Sequence, residues 1–275
     1  MIIILNLKGG LGNQLFQLIS AYNFAERCGS NEIFIIKWNL SHYNPPRNFE
    51  LDSFINNSNF KITYLSKIWF VFLNRYTLKL LHKIKFMVIN ENNYFKKIKK
   101  YSICILDDYF QEAKYTSVSS LDNVRVSINA VKYDIFKKVG LIYNTNGNNI
   151  GFHFRFTDRY CHESFCNLKR DLNFFDFSNY NKIFIFTDDL LLASKLFESP
   201  PLNFIFISDL NLTDQEEFIL ITLLPYFFVS NSTFSVLARI VSTCNITTFY
   251  TERDFELYGN NLRTFLNSKI STQPF

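Results

Sequence analysis

Four short stretches of this 275-residue chain combine groups that can hold an anion. The first is "GGLGNQ", Gly9 to Gln14. Gly10 and Gly12 let the main chain approach a ligand, and the helix expected to start near Asn13 would turn its positive end toward negative charge. It is not the dinucleotide fingerprint, because Asn13 stands where a further glycine is expected; a tight turn between strand and helix explains the string equally well. The second is "GFHFRFTDRY", with His153, Arg155, Asp158 and Arg159 at the end of an apolar run. In an extended chain His153 and Arg155 lie on one side. An arginine there can fork onto a phosphate pair, or it can pair with Asp158 as an ordinary strand-end ion pair. The third is "FTDD", where Thr187, Asp188 and Asp189 could hold a metal, accept from a base or ribose, or cap the next helix. The fourth is "SNSTFS", Ser230, Asn231, Ser232, Thr233, Phe234 and Ser235. Its hydroxyls and free N–H groups meet at a predicted helix start, an anion site that is also consistent with plain N-capping.

These groups need elements that deliver them to one edge. Ile2 to Leu7 reads as a buried parallel strand. Leu15, Leu18, Ile19, Tyr22 and Ala25 repeat with helical spacing, and Gly29 supplies the stop. Ile33 to Ile36 is the next strand, which completes a doubly wound unit. Further strands are predicted at 102–106, 150–156, 183–186, 204–207 and 226–229, with helices at 216–224 and 233–241. The polar stretch "YNTNGNN", Tyr143 to Asn149, is the best linker. It divides the chain into an N-terminal Rossmann-like domain, 1–145, and a C-terminal one, 146–275. In open parallel sheets ligands bind beyond the carboxyl ends of strands, and all four polar stretches fall at such ends.

Composition narrows the remaining possibilities. Five scattered cysteines argue against a disulfide framework. Cys161, His162 and Cys166 lack a second pair with zinc spacing, so no metal is expected. No apolar run is long enough to span a membrane and the first residues lack a signal-peptide pattern, so a cytoplasmic protein is expected. The net charge of +5 suits an anionic ligand or surface. The stretch 67–100 carries nine lysines and arginines against one acid, Glu91, with aromatic residues interleaved. It reads either as a peripheral contact with the inner face of an anionic membrane or as a basic helix packed on its own domain. No RNA-binding motif is visible, and no nucleic-acid partner is expected.

Taken together and in order, these motifs resemble glycosyltransferase family 11, the inverting bacterial α-1,2-fucosyltransferases. "GGLGNQLFQ" is similar to that family's opening motif. "RNFELDSF" and "DDYFQEAKY" resemble its middle blocks, "HFRFTD" its H-x-R-R-x-D motif, "FTDD" its third motif and "SNSTFS" its fourth. The resemblance implies a GT-B-type glycosyltransferase, α/β, with two Rossmann-like domains facing across a cleft. It further implies GDP-fucose as donor, no metal, and transfer to the 2-hydroxyl of a terminal β-galactoside. For a bacterial chain of this size the acceptor would be an O-antigen or capsule unit, on a lipid-linked oligosaccharide. By the same resemblance Gly10, Gly12 and Asn13 line the cleft, and Asp188 contacts the nucleotide together with His153, Arg155 and the 231–235 turn. Asp158 is the candidate base by position, and Arg155, Asp158 and Asn13 form the expected catalytic set. One departure stands out: the motif's second arginine is Phe156. That leaves open transfer of another GDP-sugar, or a non-catalytic nucleotide-sugar-binding protein.

Overall fold

The computed structural model describes residues 1–36, 48–49, 51–56, 58–65, 86–96, 101–139, 147–156, 162–197, 200, 202–229, 232–242, 247–250 and 271–274. Two compact units divide after Ala130. That point lies inside a long helix, α3, Val118–Lys138. The boundary expected after residue 145 falls in a stretch, 140–146, outside the described residues.

The first unit is built on a parallel sheet of five strands: β1 (Ile2–Asn6), β2 (Glu32–Ile36), β3 (Lys61–Leu65), β4 (Phe86–Ile89) and β5 (Ile103–Leu106). Their spatial order is β3-β2-β1-β5-β4. β1 is apolar because it is central: Ile3 pairs with Ile33 on one side and Cys104 on the other. Helix α1 (Leu11–Cys28) returns over the sheet, and nearly every residue through Ala25 is buried. It ends where Gly29 takes φ +65, with Ser30 N–H reaching Ala25 O and Gly29 N–H reaching Glu26 O, a Schellman closure. A short helix, α2, spans Asp52–Ile55. Of the basic stretch 67–100, the described part (86–96) is β4 and a turn, not an amphipathic helix. Tyr94 within it is fully buried and donates to Ser20 O at 2.7 Å, so this part belongs to the domain's own core.

The second unit holds a parallel sheet ordered β11-β10-β9-β6-β7-β8. Its strands are β6 (Asn149–Phe154), β7 (Lys182–Thr187), β8 (Phe204–Phe206), β9 (Tyr226–Phe228), β10 (Thr247–Tyr250) and β11 (Ser271–Pro274). The helices are α4 (His162–Asn173), α5 (Leu190–Leu196), α6 (Asp214–Leu223) and α7 (Thr233–Ile240). Phe152, Phe154 and Phe156 share one core cluster with Ile183, Ile185, Leu172 of α4 and Ala193 of α5. On α6, Phe218 meets Phe234 of α7 edge-on, with ring centroids 5.5 Å apart. Gly151 permits a close approach: a Cβ there would lie 2.6 Å from the Phe227 ring and 2.7 Å from Leu224. Arg239 of α7 is buried yet fully employed. It donates to Ile221 O (3.0 Å), Leu224 O (2.7 Å), Thr247 O (3.3 Å) and the Thr248 hydroxyl (3.3 Å), tying the end of α6 to the starts of β9 and β10.

Candidate active site

The order of the second sheet changes direction at β6. From β6 the chain adds β7 and β8 on one side, then crosses to place β9 on the other. The carboxyl ends of β6 and β9 therefore flank a topological switch point, where such sheets open a crevice. The sequence puts His153 and Arg155 at the end of β6, and Ser232 to Ser235 just after β9.

His153 lies on the face opposite Phe152, Phe154 and Phe156, and strand alternation sets Arg155 on that same face. His153 is half-buried and its ring centroid stands 5.8 Å from that of Phe234, so the end of β6 and the first turn of α7 share one face. Burial, reinforced by the neighbouring Arg155 charge and only partly offset by Asp188, lowers the His153 pKa to about 4. The imidazole is thus neutral near pH 7, and the positive charge of this face belongs to Arg155. Phe156 points the other way: it is buried, stacked on Phe154 at 6.1 Å and against Phe165 at 5.9 Å. The missing second arginine of the motif therefore takes no group from the His153–Arg155 face.

Helix α7 starts beside these residues. Ser232 is its N-cap and accepts from Phe234 N–H at 3.3 Å. The Ser235 hydroxyl donates to Ser232 O at 3.3 Å. Both serines are buried and their hydroxyls serve the cap, while Thr233 and Phe234 remain half-exposed. Among the described residues the helix start and Arg155 are the groups that could donate to an anion here.

The triplet Thr187-Asp188-Asp189 closes the β6–β7 side. Asp188 Oδ1 accepts the Phe156 N–H at 2.7 Å. Asp189 caps α5 by accepting from Leu192 N–H at 2.9 Å, as the capping alternative anticipates for one of the pair. Among the described residues no group of three His, Cys, Asp or Glu side chains could hold a metal. His162 and Cys166 do meet, at 3.3 Å on an exposed face of α4, as a pair among the described residues; Cys161 lies outside them. Asp158, Arg159 and Asn231 lie outside the described residues.

In the first unit the glycine turn follows β1 as expected. Gly9 adopts φ +74, and a Cβ there would fall 2.5 Å from Asn13 Nδ2. Side chains of α1 fix the turn: the Gln17 amide accepts from Lys8 N–H and donates to Lys8 O, both at 2.9 Å. Gln14 donates to Gly9 O at 3.0 Å. The Asn13 carboxamide accepts from Gln111 at 2.8 Å. Gly10, the N-cap of α1, offers no side chain to the first turn's N–H groups. This unit's own switch point lies between β1 and β5, and there Asp107 accepts from Lys8 Nζ at 2.8 Å and Asn6 Nδ2 at 2.7 Å. Sequence reasoning assigned no role to Asn6, Lys8 or Gln111; Asp107 and Gln111 carried only the signal of belonging to "DDYFQEAKY". It also missed Glu217 on α6, a half-buried carboxyl whose pKa desolvation and nearby Asp214 raise to about 7. Perturbed acids of this kind gather at functional sites.

No family model and no curated protein matches this sequence. Solved structures do. The fucosyltransferase NodZ from Bradyrhizobium is 14% identical, with a TM-score of 0.54 over 87% of this chain and 93% of that one. A mutant of Arabidopsis thaliana FUT1 in complex with GDP is 12% identical, with a TM-score of 0.52 over 90% of this chain and 69% of that one. The glycosyl transferase family 9 protein from Veillonella parvula is 12% identical, with a TM-score of 0.50 over 100% and 86%. The likeness is one of fold: this chain has the GT-B glycosyltransferase architecture, α/β with two parallel-sheet domains. No helix among the described residues is long and apolar enough to cross a membrane.

Proposed function

We propose that this chain is an inverting fucosyltransferase that moves L-fucose from GDP-β-L-fucose to the 2-hydroxyl of a terminal β-galactoside. The observation that carries the reading is the contact of His153, two residues before Arg155, with Phe234 in the first turn of α7 across the β6–β9 switch point, where Arg155 and the helix start are proposed to form an anion site. The ordered motifs from Gly9 to Ser235 support it, as do structural neighbours that are fucosyltransferases, one of them bound to GDP.

The acceptor oxygen attacks C1 of fucose from the face opposite the nucleotide. The bond from C1 to the β-phosphate oxygen breaks, and GDP leaves with the electron pair. Arg155 and the N–H groups opening α7 meet the charge that builds on the β-phosphate; preorganised donors of this kind are typically worth about 10²–10³ in rate each. Neutral His153 adds no second cation and can donate or accept one hydrogen bond. With Arg155 in that role we assign no metal to the reaction. Asp158 is the proposed base for the acceptor proton. Gly10, Gly12 and Asn13 are proposed to line the sugar side, with Asn231 to Ser235 around the nucleotide. The acceptor is proposed to be a lipid-linked O-antigen or capsule unit, reached by a cytoplasmic enzyme that touches the inner membrane through the part of 67–100 outside 86–96.

Transfer of another GDP-sugar is the second reading. Its motive was Phe156, and a side chain turned into the core weakens it. The test is incubation with GDP-fucose, GDP-mannose or UDP-galactose and a panel of β-galactosides, with EDTA present. An α-1,2-fucosylated product is expected. Turnover with GDP-mannose alone would favour the second reading, and turnover that requires a divalent metal would remove the metal-free mechanism.

A further inference from the structure

The last paired residues of the β6–β7 ladder are Phe154 and Thr187. One step beyond it, where the main chain stops pairing, a side chain takes over: Asp188 Oδ1 receives the Phe156 N–H at 2.7 Å. The two neighbours of Asp188 have other duties. The Thr187 hydroxyl accepts from Asp189 N–H at 3.1 Å and donates to Asp189 O at 3.2 Å, which folds the turn. The Asp189 carboxylate caps α5. Each polar side chain of the triplet thus holds a different piece of main chain.

The piece held by Asp188 is the peptide that joins Arg155 to Phe156. Phe156 anchors its far side in the core. Asp188 also acts electrostatically on His153, which places its carboxylate near the face that carries Arg155. A short hydrogen bond from a main-chain N–H to a carboxylate is charge-assisted, and so stiffer than a neutral one.

We propose that Asp188 is a positioning residue: its carboxylate fixes the main chain at Arg155–Phe156 and thereby aims the guanidinium at the diphosphate of the bound nucleotide. This rests on the reading that the site takes a nucleoside diphosphate. It differs from a direct nucleotide contact in a testable way. A group that aims Arg155 affects the part of the affinity that comes from the diphosphate. A group that touches base or ribose affects the nucleoside part.

The experiment is calorimetric titration of GDP and of guanosine into the full chain, with Arg155→Ala, Asp188→Ala and Asp188→Asn alongside wild type. The readout is the ratio of GDP to guanosine affinity, with a thermal melt of each variant. Wild type is expected to favour GDP strongly, and Arg155→Ala to lose most of that preference. Asp188→Ala is expected to cut the ratio by about 10-fold or more with guanosine affinity unchanged, since small misplacements of a positioned group cost up to ~10²-fold. Asp188→Asn keeps an oxygen for the Phe156 N–H and is expected to restore most of the ratio. If Asp188→Ala does not fold, Asp188→Ser, too short to reach that N–H, takes its place. An unchanged ratio in Asp188→Ala beside a collapsed one in Arg155→Ala would overturn the proposal alone. So would loss of guanosine affinity in both Asp188 variants, which marks a nucleoside contact. Equal affinity of wild type for GDP and guanosine would overturn the diphosphate reading, and this proposal with it.

Discussion

The His153 ring of β6 rests 5.8 Å from the Phe234 ring of α7, which joins the two strand ends that flank the switch point. Phe234 is held in turn by Phe218 of α6. The contact shields the imidazole, and that burial is the main reason its pKa sits near 4. Phe234→Ala should therefore admit water and move the His153 pKa up toward its ordinary value. An NMR titration of the imidazole reads this directly; an unshifted pKa in the variant would mean that Phe234 is not the shield.

Phe156 is a core residue in a motif position that resembles a ligand-binding one. Phe156→Ala should cost about 3–5 kcal/mol, as large-to-small changes of buried aromatics do. Phe156→Arg, which restores the motif's letters, should also destabilise, because it buries a charge among Phe154, Phe165 and Leu172. Denaturant melts of both variants check this. A stable, more active Phe156→Arg would show that the position faces the ligand after all.

Glu217 gives a pH signature with a definite sign. Its folded pKa, about 7, lies above the ordinary carboxyl value of 4.5, because burial and Asp214 both disfavour the charged form. Between those values the native state binds more protons than the unfolded chain, so this group's contribution to stability falls as pH rises. Glu217→Gln removes the penalty. It should raise stability by up to about 3 kcal/mol at pH 8 and by nearly nothing at pH 4.5. Melting curves of both proteins across that range should converge on the acid side; a constant offset would reject the assignment.

Much of the fold is legible in the sequence because its central strands are nearly pure Ile, Leu and Phe. β1, β6, β7 and β9 stand out as apolar runs, and α1 and α7 as periodic segments closed by recognisable caps. Helix α3 is not, although it is 21 residues long. Its buried stripe mixes Val124 and Ile128 with Ser120, Asn123 and Ser127, and small buried polar residues blur the apolar period. β3 is obscured for another reason: as an edge strand it exposes Lys61 and Tyr64 and fully buries none of its residues, so no period stands out. At the site, period-two alternation correctly separates His153 and Arg155 from Phe156. The partner of Asp188 could not be read, since it is a main-chain N–H that no residue type announces. Nor could the Lys8–Asp107 pair, which parallel strand pairing brings together from 99 residues apart.

If Arg155 meets the charge of the departing diphosphate, transfer depends on its guanidinium. The most direct test is the rate of fucose transfer by Arg155→Ala against wild type, with the melting temperature of each. Turnover should fall by about 10²–10³ or more in the variant, with the fold intact. Wild-type-like turnover by a folded Arg155→Ala would contradict it.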